Sequence, residues 1–116
     1  MITQTITVTD IIGSPLATTQ EKGEQLYRAM TTPPLKQGTL LVLDFTDVRM
    51  IWAAFVAGAF GPYYTSREAL ASLPQLHFIG LSAGTRAILD YGLSLLEMRL
   101  ENPEEYNYRM NILLEE

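Results

Sequence analysis

Three residues on or just after two apolar segments carry the side chains of a hydrolytic triad: Asp44, His77 and Ser82. An acid, an imidazole and a hydroxyl work together only when hydrogen-bonded to one another, and spacing does not reveal that geometry. Gly80-Leu81-Ser82-Ala83-Gly84 has the Gly-x-Ser-x-Gly spacing of the elbow that exposes such a serine, but that spacing does not by itself place the acid and the imidazole. A structural His77 is the simpler reading, and a small hydrolase ranks third among the functions considered. Asp44 and Asp47 bracket a turn, where aspartate commonly bonds its own backbone, so they do not read as an acid–base pair. Ser82-Ala83-Gly84-Thr85 follows an apolar segment and opens a helix. Helix starts attract anions, yet serine in that place is also the ordinary cap for a helix's first backbone donors. With Thr46, the residues Ser82, Gly84 and Thr85 mark the strand ends at which α/β sheets usually bind ligands. A small-molecule or anion sensor is therefore the second functional reading. Neither a Gly-x-Gly-x-x-Gly nor a phosphate loop is present. With no cysteine and one histidine, a protein-only zinc site is not expected, and no metal or cofactor is assigned.

Trp52 is more informative. It falls at the start of an apolar run, where Ser, Thr, Asp or Asn would cap a helix, and Ala53 and Ala54 cannot cap either. One reading buries Trp52 in the core, as is usual for tryptophan. The other exposes it as an anchor beside uncapped donors, a combination suited to a protein partner. In that reading Asp47 and Arg49 form the polar rim. Tyr63, Tyr64 and the stripe of the final helix extend the surface.

The elements that must position these residues follow from periodicity. Ile2 to Val8 alternates apolar residues with threonines, the pattern of a half-buried strand, and Gly13-Ser14-Pro15 breaks it. Thr18 and Glu21 form a capping box. In the helix it opens, Gly23, Leu26, Tyr27 and Met30 mark one stripe. Gly23 costs that helix roughly 1 kcal/mol against alanine, which a close approach to another backbone would explain. Thr39 to Phe45 reads as a central strand buried on both faces. Ile51 to Phe60 is apolar all round and rich in small residues, a buried helix that Gly61-Pro62 stops. Thr65 and Glu68 offer another capping box, and Leu76 to Leu81 a second inner strand. Ser82 caps a long helix whose packed face holds Ile88, Gly92, Leu95 and Arg99, flanked by Leu89 and Leu96. Asn102-Pro103-Glu104-Glu105 starts a final helix with the apolar stripe Tyr106, Met110, Leu113 and Leu114. Strands alternating with helices predict an α/β domain with a mixed, mostly parallel sheet.

The chain's 116 residues predict one domain, with 102–116 as a helical extension of 1–101. The net charge of −5 is concentrated in Glu97, Glu101, Glu104, Glu105, Glu115 and Glu116. A nearly neutral body with an acidic end does not suit nucleic acid, whose affinity comes from Lys and Arg on phosphates. No apolar run reaches membrane-spanning length and no signal-peptide core opens the chain, so a cytoplasmic protein is expected.

The segment Val42-Leu-Asp-Phe-Thr-Asp-Val-Arg-Met-Ile-Trp-Ala-Ala-Phe55 resembles the strand–turn–helix centre of STAS domains, the fold of sulphate transporters and anti-sigma-factor antagonists. It is more similar to the small STAS-like family of bacterial proteins. Those share a Gly-Ser-Pro-Leu-Ala-like turn (Gly13 to Ala17), a helix with Gly23 and Leu26, and a phenylalanine matching Phe55. The resemblance covers about residues 2 to 100 and leaves the last helix outside it. It implies a non-enzymatic regulatory module that docks a protein, by analogy an ATP-binding kinase domain of the GHKL type. The antagonists' phosphorylated serine corresponds to Ala54, so the resemblance carries no phosphorylation switch. The partner surface it implies is Asp47, Arg49, Trp52, Ala53, Ala54 and Phe55, and the stripe of the terminal helix is expected to pack on the domain or, in a homodimer, on a second copy.

Overall fold

A computed structural model describes residues 2–115, without the side chains of Met110 and of 112–115. The expected stripe of the final helix therefore lies largely outside the described residues, at Met110, Leu113 and Leu114. In chain order the elements are β1 (Ile2–Thr7), α1 (Val8–Ile12), β2 (Leu16–Ala17), α2 (Gln20–Thr31), β3 (Thr39–Asp44) and β4 (Met50–Ile51). They continue with α3 (Ala53–Phe60), a 3-10 turn (Gly61–Tyr64), α4 (Arg67–Ala71), β5 (Gln75–Ile79), α5 (Ala83–Glu101) and α6 (Pro103–Glu115). The α/β class is as expected.

The main sheet has the order β1-β3-β5, and both pairings are parallel. Parallel neighbours need crossover connections, and these carry α2 and α3. A separate parallel pair joins β2 to β4, with Leu16 opposite Met50 and Ala17 opposite Ile51. One face of the main sheet builds the core: Ile6, Leu41, Leu43, Leu76 and Phe78 pack with Leu26, Phe55, Phe60 and Leu89 from the helices. The other face holds Thr3, Thr5, Leu40, Val42, His77 and Ile79, and none of its residues is buried. This corrects the expectation for Thr39 to Phe45, whose apolar run is buried on alternate residues only. It also makes β5 an edge strand, ending at Ile79, not an inner one.

Gly23 does what its place in a helix implied. A Cβ there would run into the Phe55 carbonyl and come 2.7 Å from the Ala59 nitrogen, and one on Gly58 would strike the Gln20 carbonyl. Helices α2 and α3 thus cross backbone on backbone through a pair of glycines.

Several boundaries differ from the sequence reading. Val8 leaves the first strand to begin α1, which ends on Gly13 at φ +66°. Thr19, not Thr18, caps α2 by accepting a bond from the Lys22 amide at 3.2 Å. Ser66, not Thr65, caps α4, because the Thr65 hydroxyl donates back to the Pro62 carbonyl. α3 ends at Phe60, where Gly61-Pro62 is expected to stop it, and a 3-10 turn follows whose first turn accommodates the proline. Ser82 and Asn102 cap α5 and α6 as expected. On α5, Leu89, Gly92, Leu95 and Leu96 are buried, but Ile88 is exposed. Arg99 donates to the Gly61 carbonyl at 2.9 Å and so ties α5 to the end of α3.

Candidate functional site

At the carboxyl end of β3 the chain must leave the sheet, and Asp44 organises the exit. Its Oδ1 accepts bonds from the Thr46 hydroxyl at 2.6 Å and the Thr46 amide at 2.9 Å. The hydroxyl bond chiefly, and the amide bond after it, hold the Asp44 carboxyl below its ordinary range. Gly80, at φ +76°, presses on this turn, and a Cβ there would lie 2.6 Å from the Thr46 hydroxyl and 2.9 Å from Asp44 Oδ1. The next turn is closed by the Val48 amide donating to the Phe45 carbonyl at 3.0 Å. Within it Asp47 takes φ +70°, the left-handed region that aspartate tolerates better than most residues.

From there the backbone zips onto β2. The Arg49 amide donates to the Pro15 carbonyl at 2.8 Å and the Trp52 amide to the Ala17 carbonyl at 3.0 Å. The period of two along this short strand buries Ile51 and turns Met50 and Trp52 outward. Trp52 is 56% exposed, which rules out the core reading. It occupies the cap position of α3 with φ −113° and ψ 154° and gives no side-chain cap bond. Asp47, Arg49 and Ala54 are exposed beside it, and Ala53 is half-buried.

Phe55 is a correction. It is fully buried in the core, because one turn into α3 the helix already faces the sheet. Tyr63 and Tyr64 do not extend the surface either, since both are buried in the 3-10 turn. Burial pushes both their hydroxyl pKa values up.

Sequence reasoning missed other members of the surface. Leu16 and Met50, opposite one another in the small sheet, are both exposed, as are Ile88 and Tyr91 of α5. The 88/91 spacing places these two on one helix face. The Leu16–Met50 pairing has no comparable signal, because two-residue strands leave no period to read.

A cleft of about 200 Å³ separates the β4 segment from α5 and brings Arg49, Met50 and Ile51 against Ser82, Gly84, Thr85 and Ile88. Thr46 stands apart from it, against Gly80. The Ser82 hydroxyl accepts the Thr85 amide at 3.1 Å and lies 2.9 Å from the Thr85 hydroxyl, so it serves the helix start. Asp44 is engaged with Thr46, and His77 lies exposed on the open sheet face opposite Val42. No hydrogen bond joins Asp44, His77 and Ser82 among the described residues. Nor do three or more His, Asp or Glu side chains converge there to hold a metal ion. No helix of the described residues is long and apolar enough to cross a membrane. Neither family models, nor curated proteins, nor solved structures give a match to this chain.

Proposed function

We propose that the protein is a STAS-like regulatory module without catalysis of its own, docking a partner protein through the surface around Trp52. The exposed indole carries this reading. Tryptophan in water is costly, and it is strongly favoured as an interface anchor. Leu16, Met50, Ile88 and Tyr91 supply apolar neighbours on the β2, β4 and α5 segments, and Asp47 and Arg49 a polar rim. By the resemblance, the partner is an ATP-binding domain of the GHKL type. With alanine at position 54, docking is not gated by phosphorylation there. The test is calorimetric titration of a purified GHKL-type ATPase domain from the source organism. Trp52→Ala should weaken binding at least about tenfold, the mark of an anchor residue. Equal affinity for wild type and variant would end this reading.

A second reading, an anion sensor, has one observation in its favour: Arg49 shares its cleft with the start of α5. Thermal-shift measurements with nucleotides and inorganic phosphate separate the two. Stabilisation that Arg49→Gln abolishes would favour the sensor.

A further inference from the structure

A sizeable cavity lies at the other end of the sheet from Trp52. It opens at the amino ends of β3 and β5, between Thr39 and Gln75, and is walled by the last turn of α2 and the loop into β3. Its volume of about 550 Å³ falls in the ~300–1,000 Å³ range of small-molecule sites. Because β3 has six residues, this mouth stands about 20 Å from the carboxyl-end cleft.

Two features of the lining specify a ligand. The first is aromatic. Half-buried Tyr27 lines the cavity, Tyr63 meets it edge to face from the core with ring centres 5.4 Å apart, and Pro34, Leu35 and Pro74 complete an apolar wall. A tyrosine ring between prolines favours a flat aromatic guest over a flexible chain. The second is charge. In a chain of 13 acids and 8 bases, the described residues that line this cavity include no carboxylate and a single cation, Lys36. Lys36 makes no ion pair among the described residues. Its carbonyl holds the loop in place by accepting the Thr39 amide at 3.1 Å and the Thr39 hydroxyl at 2.7 Å. The Thr31 hydroxyl is likewise spent on the Tyr27 carbonyl at 2.9 Å. What remains to meet a ligand is the ammonium group, the Tyr27 hydroxyl and the amides of Gln37 and Gln75.

We infer that this cavity binds a small aryl carboxylate, with its ring against Tyr27, Leu35 and Pro74 and its carboxylate on Lys36. The site is independent of the Trp52 surface and stands or falls without it.

Phenylacetate, with phenylacetamide as its uncharged counterpart, is the probe, followed by amide NMR of the full chain. Phenylacetate should cause saturable shifts centred on Leu35, Gly38, Thr39 and Gln75, with contacts from its ring protons to the Leu35 methyls. Replacing the exposed Lys36 by glutamine should weaken it about tenfold, as should removing the ligand's charge. The well-dispersed spectrum of Lys36→Gln checks that the variant is folded. Three results would overturn the assignment: no saturable shift at millimolar probe, shifts centred on Ser82 to Thr85, or equal binding of phenylacetate and phenylacetamide.

Discussion

Trp52 and Phe55 are three residues apart and obey opposite physics. The indole stands in water, whereas the phenyl ring is sealed between α3 and the sheet. Trp52→Ala should therefore change unfolding free energy by no more than about 0.5 kcal/mol. Phe55→Ala should cost about 3–5 kcal/mol, because it leaves a cavity in a close-packed core. Urea denaturation of both variants checks the contrast, and a large loss at Trp52 would contradict its placement. Asp47 is governed by its backbone. Asp47→Gly should match or exceed the wild type in stability, while Asp47→Val, a branched residue at positive φ, should lose about 1–2 kcal/mol. Asp44 adds a pH dependence. Its carboxyl titrates lower in the folded chain than in the unfolded one, so its bonds to Thr46 stabilise the fold above the ordinary carboxylate range. That contribution fades as pH falls through the lowered value. Thr46→Val removes the larger of the two causes, and a carbon-detected titration should show the Asp44 midpoint move upward. An unmoved midpoint would assign the shift to something else.

Helix α2 shows how much an element can reveal and where it falls silent. Its propensity argues for alanine at Gly23, by about 1 kcal/mol. The crossing with α3 argues the reverse, since the added Cβ would meet rigid backbone at Phe55 and Ala59. Gly23→Ala should destabilise by roughly 1–3 kcal/mol or more, and a melting temperature above wild type would show that the helices can part freely. The need for a close approach was legible from one misplaced glycine. So were β3, α5 and the caps Ser82 and Asn102, because long periods and strong start signals are local properties. The errors occurred where two local choices were nearly equal. Thr18 and Thr19 are both threonines before one glutamate, and only the extended backbone at Thr19 selects the second. Thr65 and Ser66 pose the same choice. Other features depend on tertiary partners. Nothing in Leu16 or Met50 announces a two-residue strand, and nothing in the amphiphilic Pro34-Leu35-Lys36 loop announces a cavity wall. The surface near Asp47 to Ala54 was partly legible from a missing cap, while Phe55 was assigned to the wrong side because the turn into α3 was not.

On the scale of the whole molecule the layers are unequal. Helices cover one face of a parallel sheet whose other face is bare, although such sheets are normally covered on both sides. The hydrophobic core runs as far as Leu100, and among the described residues α6 contributes nothing to it. Truncation after Asn102 removes no described member of that core and should lower the melting temperature by only a few degrees. Loss of cooperative unfolding in the truncated chain would mean that α6 supports the core. The acidic end of the chain is shared by the last turns of α5, with Glu97 and Glu101, and the start of α6, with Glu104 and Glu105. None of these four lines either the Lys36 cavity or the Arg49 cleft.

The position of Trp52 also fixes how this protein looks in a fluorimeter. It is the only tryptophan, and it is already largely hydrated in the native state. Its emission should be red-shifted before any denaturant is added and should barely change in colour when the chain unfolds. The optical signature of folding then falls to tyrosines such as Tyr63 and Tyr64, which pass from core to water. A blue shift of the indole would instead report that another surface has closed over it.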